Sequence, residues 1–88
     1  MKVIITKHAE NQIRERLNTS PKTVEHCIQT VAHTLEDRCE THLILAELDR
    51  PARAKDGSKG DRVVAACHRK GRKVIVATVM YRWAWQLR

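Results

Sequence analysis

The chain has 88 residues, a formal net charge of +7, no Phe, one Tyr and two Trp. That length suits one domain, residues 1–88, and no run approaches the roughly 20 apolar residues of a membrane span. The core must come from Val, Ile, Leu and Ala, and a thin core favours a sheet covered on one face by helices.

The opening run Lys2-Val3-Ile4-Ile5-Thr6 reads as a short strand. It is too short and too soon polar for a secretory leader, so a cytoplasmic protein is expected. From Lys7 the period changes: Ala9, Ile13 and Leu17 recur every four residues on one helical face. Glu10 and Arg14 form an (i, i+4) pair with the acid first, and this helix should end near Leu17-Asn18. Ser20-Pro21 then starts a second helix, with Ser as N-cap and Pro where its missing N–H costs nothing. Val24, Ile28, Val31 and Leu35 give it an apolar stripe, widened by Cys27 and Ala32, and predict a helix over 21–33.

Residues 41–49 predict a strand that stops at Arg50-Pro51. Pro51, Gly57, Ser58 and Gly60 among Arg53, Lys55 and Lys59 predict a flexible loop over 50–61. Two β-rich runs, 62–69 and 72–83, flank Lys70-Gly71 and read as a hairpin. The expected order is β-α-α-β-β-β: an α+β fold with two helices on one face of a mostly antiparallel four-stranded sheet. Cys27, Cys39 and Cys67 follow no disulfide spacing and read as small, reduced core residues.

Charge is unevenly spread. Residues 1–61 hold ten basic and ten acidic residues, whereas residues 62–88 hold seven basic residues and no acid. All of the net charge therefore lies in the last third (Arg62, Arg69, Lys70, Arg72, Lys73, Arg82 and Arg88), which points to a polyanion, nucleic acid before membrane. If Lys70-Gly71 is a two-residue turn, Arg69 faces Arg72 and His68 faces Lys73. Alternation then gives Val63, Ala65, Cys67, Val74, Val76, Thr78 and Met80 to the helices. Arg62, His68, Lys73 and Tyr81 go to an open face.

Such a face suits RNA backbone cleavage without metal. His68 can exchange protons near neutral pH. Arg62, Lys73 and Arg82 can stabilise a phosphorane, and Tyr81 can stack on a base or donate a proton. His8, at the start of the first helix, and Arg16 are further candidates. The alternative is that these groups only solvate the sheet. Cys39-x-x-His42 and Cys67-His68 have zinc-like spacings, but neighbouring strand residues point to opposite faces, so no metal and no cofactor is expected. Trp83 and Trp85 alternate and are expected in the core, with a homodimer contact or stacking on a base as the other uses.

Thr6-Lys7-His8-Ala9, Glu15-Arg16, the Ser-Pro-led helix and Val76-Ala77-Thr78-Val79-Met80-Tyr81 resemble the RelE/BrnT-like small toxin superfamily. The nearest pattern is S-K-H-A-x-x-R-x-x-x-R-G-I-S with a terminal V-x-T-V-Y strand. The resemblance implies a RelE-like β-α-α-β-β-β fold, a metal-independent endoribonuclease acting on RNA or the ribosome, and an antitoxin partner. Residue by residue it reaches only His8, Arg16 and Tyr81, the last displaced by one because Met80 intervenes; together with the open face this makes His68, Arg62, Tyr81 and His8 the expected catalytic residues. RNA contacts would come from Lys73, Arg16, Arg72, Arg69, Lys70 and Arg82. Gln12 stands where the pattern has its first Arg, and Leu17 where it has Gly. Those departures favour the alternative of a non-catalytic phage or mobile-element protein that binds a host protein or nucleic-acid complex.

Overall fold

A computed structural model describes residues 1–17 and 19–87. Asn18, at the expected end of the first helix, and Arg88, one of the C-terminal cations, lie outside the described residues. The chain forms β1 (Lys2–Ile5), α1 (Lys7–Leu17), α2 (Pro21–Val31), β2 (Glu40–Arg53), β3 (Lys59–Lys70) and β4 (Lys73–Arg82). Short 3-10 turns follow α2 and β4. The result is an α+β fold with a mixed sheet in the order β1-β4-β3-β2. β2, β3 and β4 form an antiparallel meander, and β1 pairs with β4 in parallel.

Both helices cover one face. Ala9 and Ile13 of α1 and Val24 and Ile28 of α2 share a core with Val63, Ala65, Cys67, Val74, Val76 and Val79. Ile13 and Ile28 are almost wholly buried, each contributing about 2 kcal/mol. Ser20 caps α2 as expected: its Oγ accepts from the Thr23 amide at 3.3 Å. Of the expected stripe, Val31 is exposed, because α2 gives way to the 3-10 turn just beyond it. Of the three thiols only Cys67 is core; Cys27 and Cys39 are exposed. Burial pushes the Cys67 thiol up to about 11.

The expected loop over 50–61 is mostly strand. β2 runs to Arg53 and β3 starts at Lys59. The turn between them is closed by the Ala54 amide on the Ser58 carbonyl at 2.8 Å. Pro51 is tolerated because β2 is an edge strand. It also sits in an irregular stretch, where pairing steps from Glu47↔Arg62 to Ala52↔Gly60.

The hairpin register also differs. Lys70 pairs with Lys73, so the loop is Gly71-Arg72. Gly71 has φ +61, the positive value that the first position of a two-residue hairpin loop of this kind requires. This moves the pairing by two residues, which leaves the faces unchanged. A bulge does change them: Cys67 pairs with Val76 but Ala66 with Thr78, leaving Ala77 as the extra residue. Beyond it the alternation inverts. Val79 and Tyr81, expected outside, are buried in the core, and Thr78, Met80 and Arg82 take the outer positions.

The bulge is held from α1. β1 pairs only as far as Val76, so the edge of β4 beyond it has no strand partner. Polar side chains take that place. Thr6 Oγ1 donates to the Val76 and Ala77 carbonyls, each at 3.1 Å. Gln12, 5% exposed, accepts from the Val79 amide at 2.6 Å and from Thr78 Oγ1 at 2.8 Å. Arg16 donates to the Val79 carbonyl.

Candidate nucleic-acid interface

Register partners share a face, so the sheet face away from the helices reads row by row. At the hairpin end stand Lys2, Lys73 and Lys70; next come Ile4, Ile75, His68 and Glu40. Thr78, Ala66 and His42 follow, then Met80, Val64 and Ile44, and finally Arg82, Arg62 and Glu47. The face thus has cations at both ends and between them a floor that mixes apolar residues with His68, Glu40, Thr78 and His42. Val64 and Ala66 are buried on it, outside the helix-side core, while Ile44 is 53% exposed.

The lysine row is the densest charge on this face. Neighbouring strands lie about 4.8 Å apart, so Lys2, Lys73 and Lys70 are immediate neighbours, all exposed, with exposed Arg72 in the adjoining turn. Among the described residues none of the four forms a salt bridge. Glu25 shares a cleft of about 540 Å³ with Lys2, Arg72 and Lys73. Asp37 is committed to the turn: its Oδ1 accepts from the Gly71 amide at 2.7 Å. That bond holds its carboxyl below the usual range, helped by Arg38 and Arg69.

Arg69 faces the other way and fastens the hairpin. It donates to the Leu35 carbonyl at 2.5 Å and to the Gly71 carbonyl at 3.0 Å. Its own carbonyl accepts from the Arg38 amide at 2.7 Å, which holds Arg38 at φ +64. The expected RNA contact at Arg69 is therefore a structural clasp, because its strand phase points it towards the chain between α2 and β2.

At the far end of the sheet the arginines expected in the site, Arg62, Arg82 and Arg16, are engaged within the chain. Arg62 lies 3.3 Å from Asp61 and 3.8 Å from Glu47. Arg82 donates to the Tyr81 carbonyl at 3.2 Å. Arg16, with its side chain 7% exposed, pairs with Asp56 at 3.2 Å and stacks 5.2 Å from the centre of the Tyr81 ring. Tyr81 is 9% exposed on the helix side; the bulge put it there.

The residues expected to do chemistry are consequently not brought together. His68 and Arg62 share a strand and a face but stand six residues apart, roughly 20 Å at the strand rise. Tyr81 is on the opposite face, and His8 is exposed on the first turn of α1. The structure does bring His68 within one row of the lysines, and it adds Lys2. Parallel pairing of the first strand with the last carries Lys2 there, a pairing that residue types alone do not specify. Trp83 and Trp85 do not continue the strand. Asp61 Oδ1 accepts from the Ala84 amide at 3.0 Å and Gln86 Oε1 from the Trp83 amide at 2.9 Å. The chain turns there and Trp85 is left 67% exposed.

Among the described residues no group of three or more His, Cys, Asp or Glu could hold a metal ion, and no helix is long and apolar enough to cross a membrane. No family model matches the chain, and neither a curated protein nor a solved structure matches it.

Proposed function

We propose that the chain is an RNA-binding protein that contacts phosphate groups through Lys2, Lys73 and Lys70, with Arg72 beside them. One observation carries this reading. Three lysines stand side by side across three strands, without a salt bridge among the described residues. Like charges directly opposite one another cost a few tenths of a kcal/mol or more, a cost that a polyanion relieves. The β-α-α-β-β-β order is also the one that the RelE/BrnT resemblance implies. It supports a toxin-like protein acting on RNA or the ribosome, with an antitoxin or host protein as partner.

Binding is better supported than cleavage, since His68, Arg62, Tyr81 and His8 do not converge. One feature favours a second reading, a metal-independent endoribonuclease: His68 is half-buried one row from the lysines, where an imidazole could exchange protons with a bound ribose-phosphate.

Fluorescence anisotropy with a single-stranded RNA in chelator tests both. For 3–4 phosphate contacts the log–log salt slope should be roughly −2 to −3. The Lys70→Gln/Lys73→Gln variant should bind about tenfold more weakly and be about 0.5 kcal/mol more stable, because repulsion is removed. Unchanged affinity in that variant refutes the binding surface. RNA cleavage that disappears in His68→Ala while binding persists would establish the second reading.

A further inference from the structure

The geometry points to a second anion site, where the last turn of α1 meets the ends of β2 and β4, that takes a phosphate-bearing ligand of nucleotide size. A recess of about 350 Å³ opens there, lined by Glu15, Arg16, Arg53, Ala54, Lys55 and Tyr81. That volume lies at the small end of ligand sites. Three of the six lining residues are cations. The recess lies roughly 25 Å along β4 from the lysine row, and Tyr81 belongs to the opposite face of the sheet. It is independent of the RNA-binding surface proposed above.

The floor of the recess is rigid. Arg16 is held on three sides: by the Val79 carbonyl, by Asp56 and by the Tyr81 ring. Asp56 is itself fixed, accepting from the Ser58 hydroxyl at 2.8 Å and the Ser58 amide at 3.0 Å. An arginine immobilised before a ligand arrives loses little entropy on binding.

The rim supplies the uncompensated charge. Asp56 answers Arg16, but among the described residues neither Arg53 nor Lys55 has a salt-bridge partner. Arg53 is also in register with Lys59 on β3, a like-charge pair of the same kind as the lysine row. Glu15 is the one acid among the lining residues, so two free cations outweigh it. Arginine and lysine together suit a phosphate group: the guanidinium offers paired donors and the ammonium a point charge. The phosphate could belong to a free nucleotide or to an RNA end.

Isothermal titration calorimetry with adenosine monophosphate and with inorganic phosphate tests the site, using Arg53→Gln/Lys55→Gln as the variant. Both substitutions fall on exposed positions of β2's end and the turn, and circular dichroism verifies the fold. Saturable binding of the nucleotide is expected, weakened about tenfold or more in the variant. Lys70→Gln/Lys73→Gln should leave it unchanged. Absence of binding to either probe, or equal binding by the Arg53/Lys55 variant, overturns the site and leaves the lysine-row reading standing. Oligonucleotides with a 5′-phosphate or a 5′-hydroxyl separate the sources. A preference for the phosphate that depends on Arg53 and Lys55 identifies an RNA end. Equal binding of the two, with the nucleotide bound, identifies a free nucleotide.

Discussion

Lys2, Lys73 and Lys70 at one end of the sheet and Arg62 and Arg16 at the other carry the same sign of charge and are treated in opposite ways. At the hairpin end, Lys2, Lys73 and Lys70 lie in one row and none is in a salt bridge. At the other end Arg62 is paired with Asp61 and Glu47, and Arg16 with Asp56, each within 4.0 Å. Both acid partners of Arg62 lie in the stretch 1–61 that a linear count keeps apart from it. A surplus of basic residues in one stretch of sequence therefore does not say which of them remain available to a ligand. Proximity after folding decides it, and surface pairs that look alike in composition divide into spent and free charge.

Four changes sharpen the contrast between a packed end and an open end. The largest effect is expected at Gly60, where an added Cβ would lie 2.1 Å from the carbonyl carbon and oxygen of Arg82. Gly60→Ala should cost about 3 kcal/mol, read as a lower urea midpoint at unchanged slope. A midpoint within error of wild type would show that the packed end can yield.

Gln12→Leu comes next. It strips the buried Val79 amide and the Thr78 hydroxyl of their acceptor, at about 2 kcal/mol. Gln12→Glu keeps an acceptor there and should lose less. If the two variants lost the same stability, Gln12 would not be the clamp on the bulge.

Arg38 probes the open end. At φ +64 a non-glycine residue pays about 1 kcal/mol, so Arg38→Gly should gain up to that amount in the same denaturation series. A loss would mean that the side chain outweighs the backbone.

The smallest effect is a pH dependence at the packed end. The Ser58 hydroxyl and amide, with Arg16 beside them, lower the Asp56 carboxyl from 3.8 to about 2. A depressed carboxyl stabilises the fold in its charged form. Its contribution is present above about pH 4 and fades as pH falls towards about 2. Nuclear magnetic resonance titration of the Asp56 carboxyl should show the low midpoint, and Ser58→Ala should raise it.

Much of this molecule is legible in residue order because it depends on neighbours in sequence. The four-residue spacing of Ala9 and Ile13 and of Val24 and Ile28 marked both helices and their buried faces, and all four are buried as expected. Ser20-Pro21 marked the start of α2, and the apolar run from Val74 marked a strand inside the sheet. The candidate site was legible only in part. Lys70, Arg72 and Lys73 are exposed at the hairpin end, whereas Tyr81 and Arg16 are buried against each other.

By itself, then, the chain determined the kind and order of its main elements and the face that each helix buries, since local periodicity and capping are short-range; the strand pairing over 50–61 came from the fold. Tertiary structure alone decided which way β4 faces beyond Ala77. An alternation of two has no memory of its own phase, and here the phase is reset by Thr6 and Gln12, which reach β4 from the far end of the sequence. The same long-range contacts bring Lys2 beside Lys73 and Asp56 beside Arg16, and so separate the charges left for a ligand from those the fold consumes.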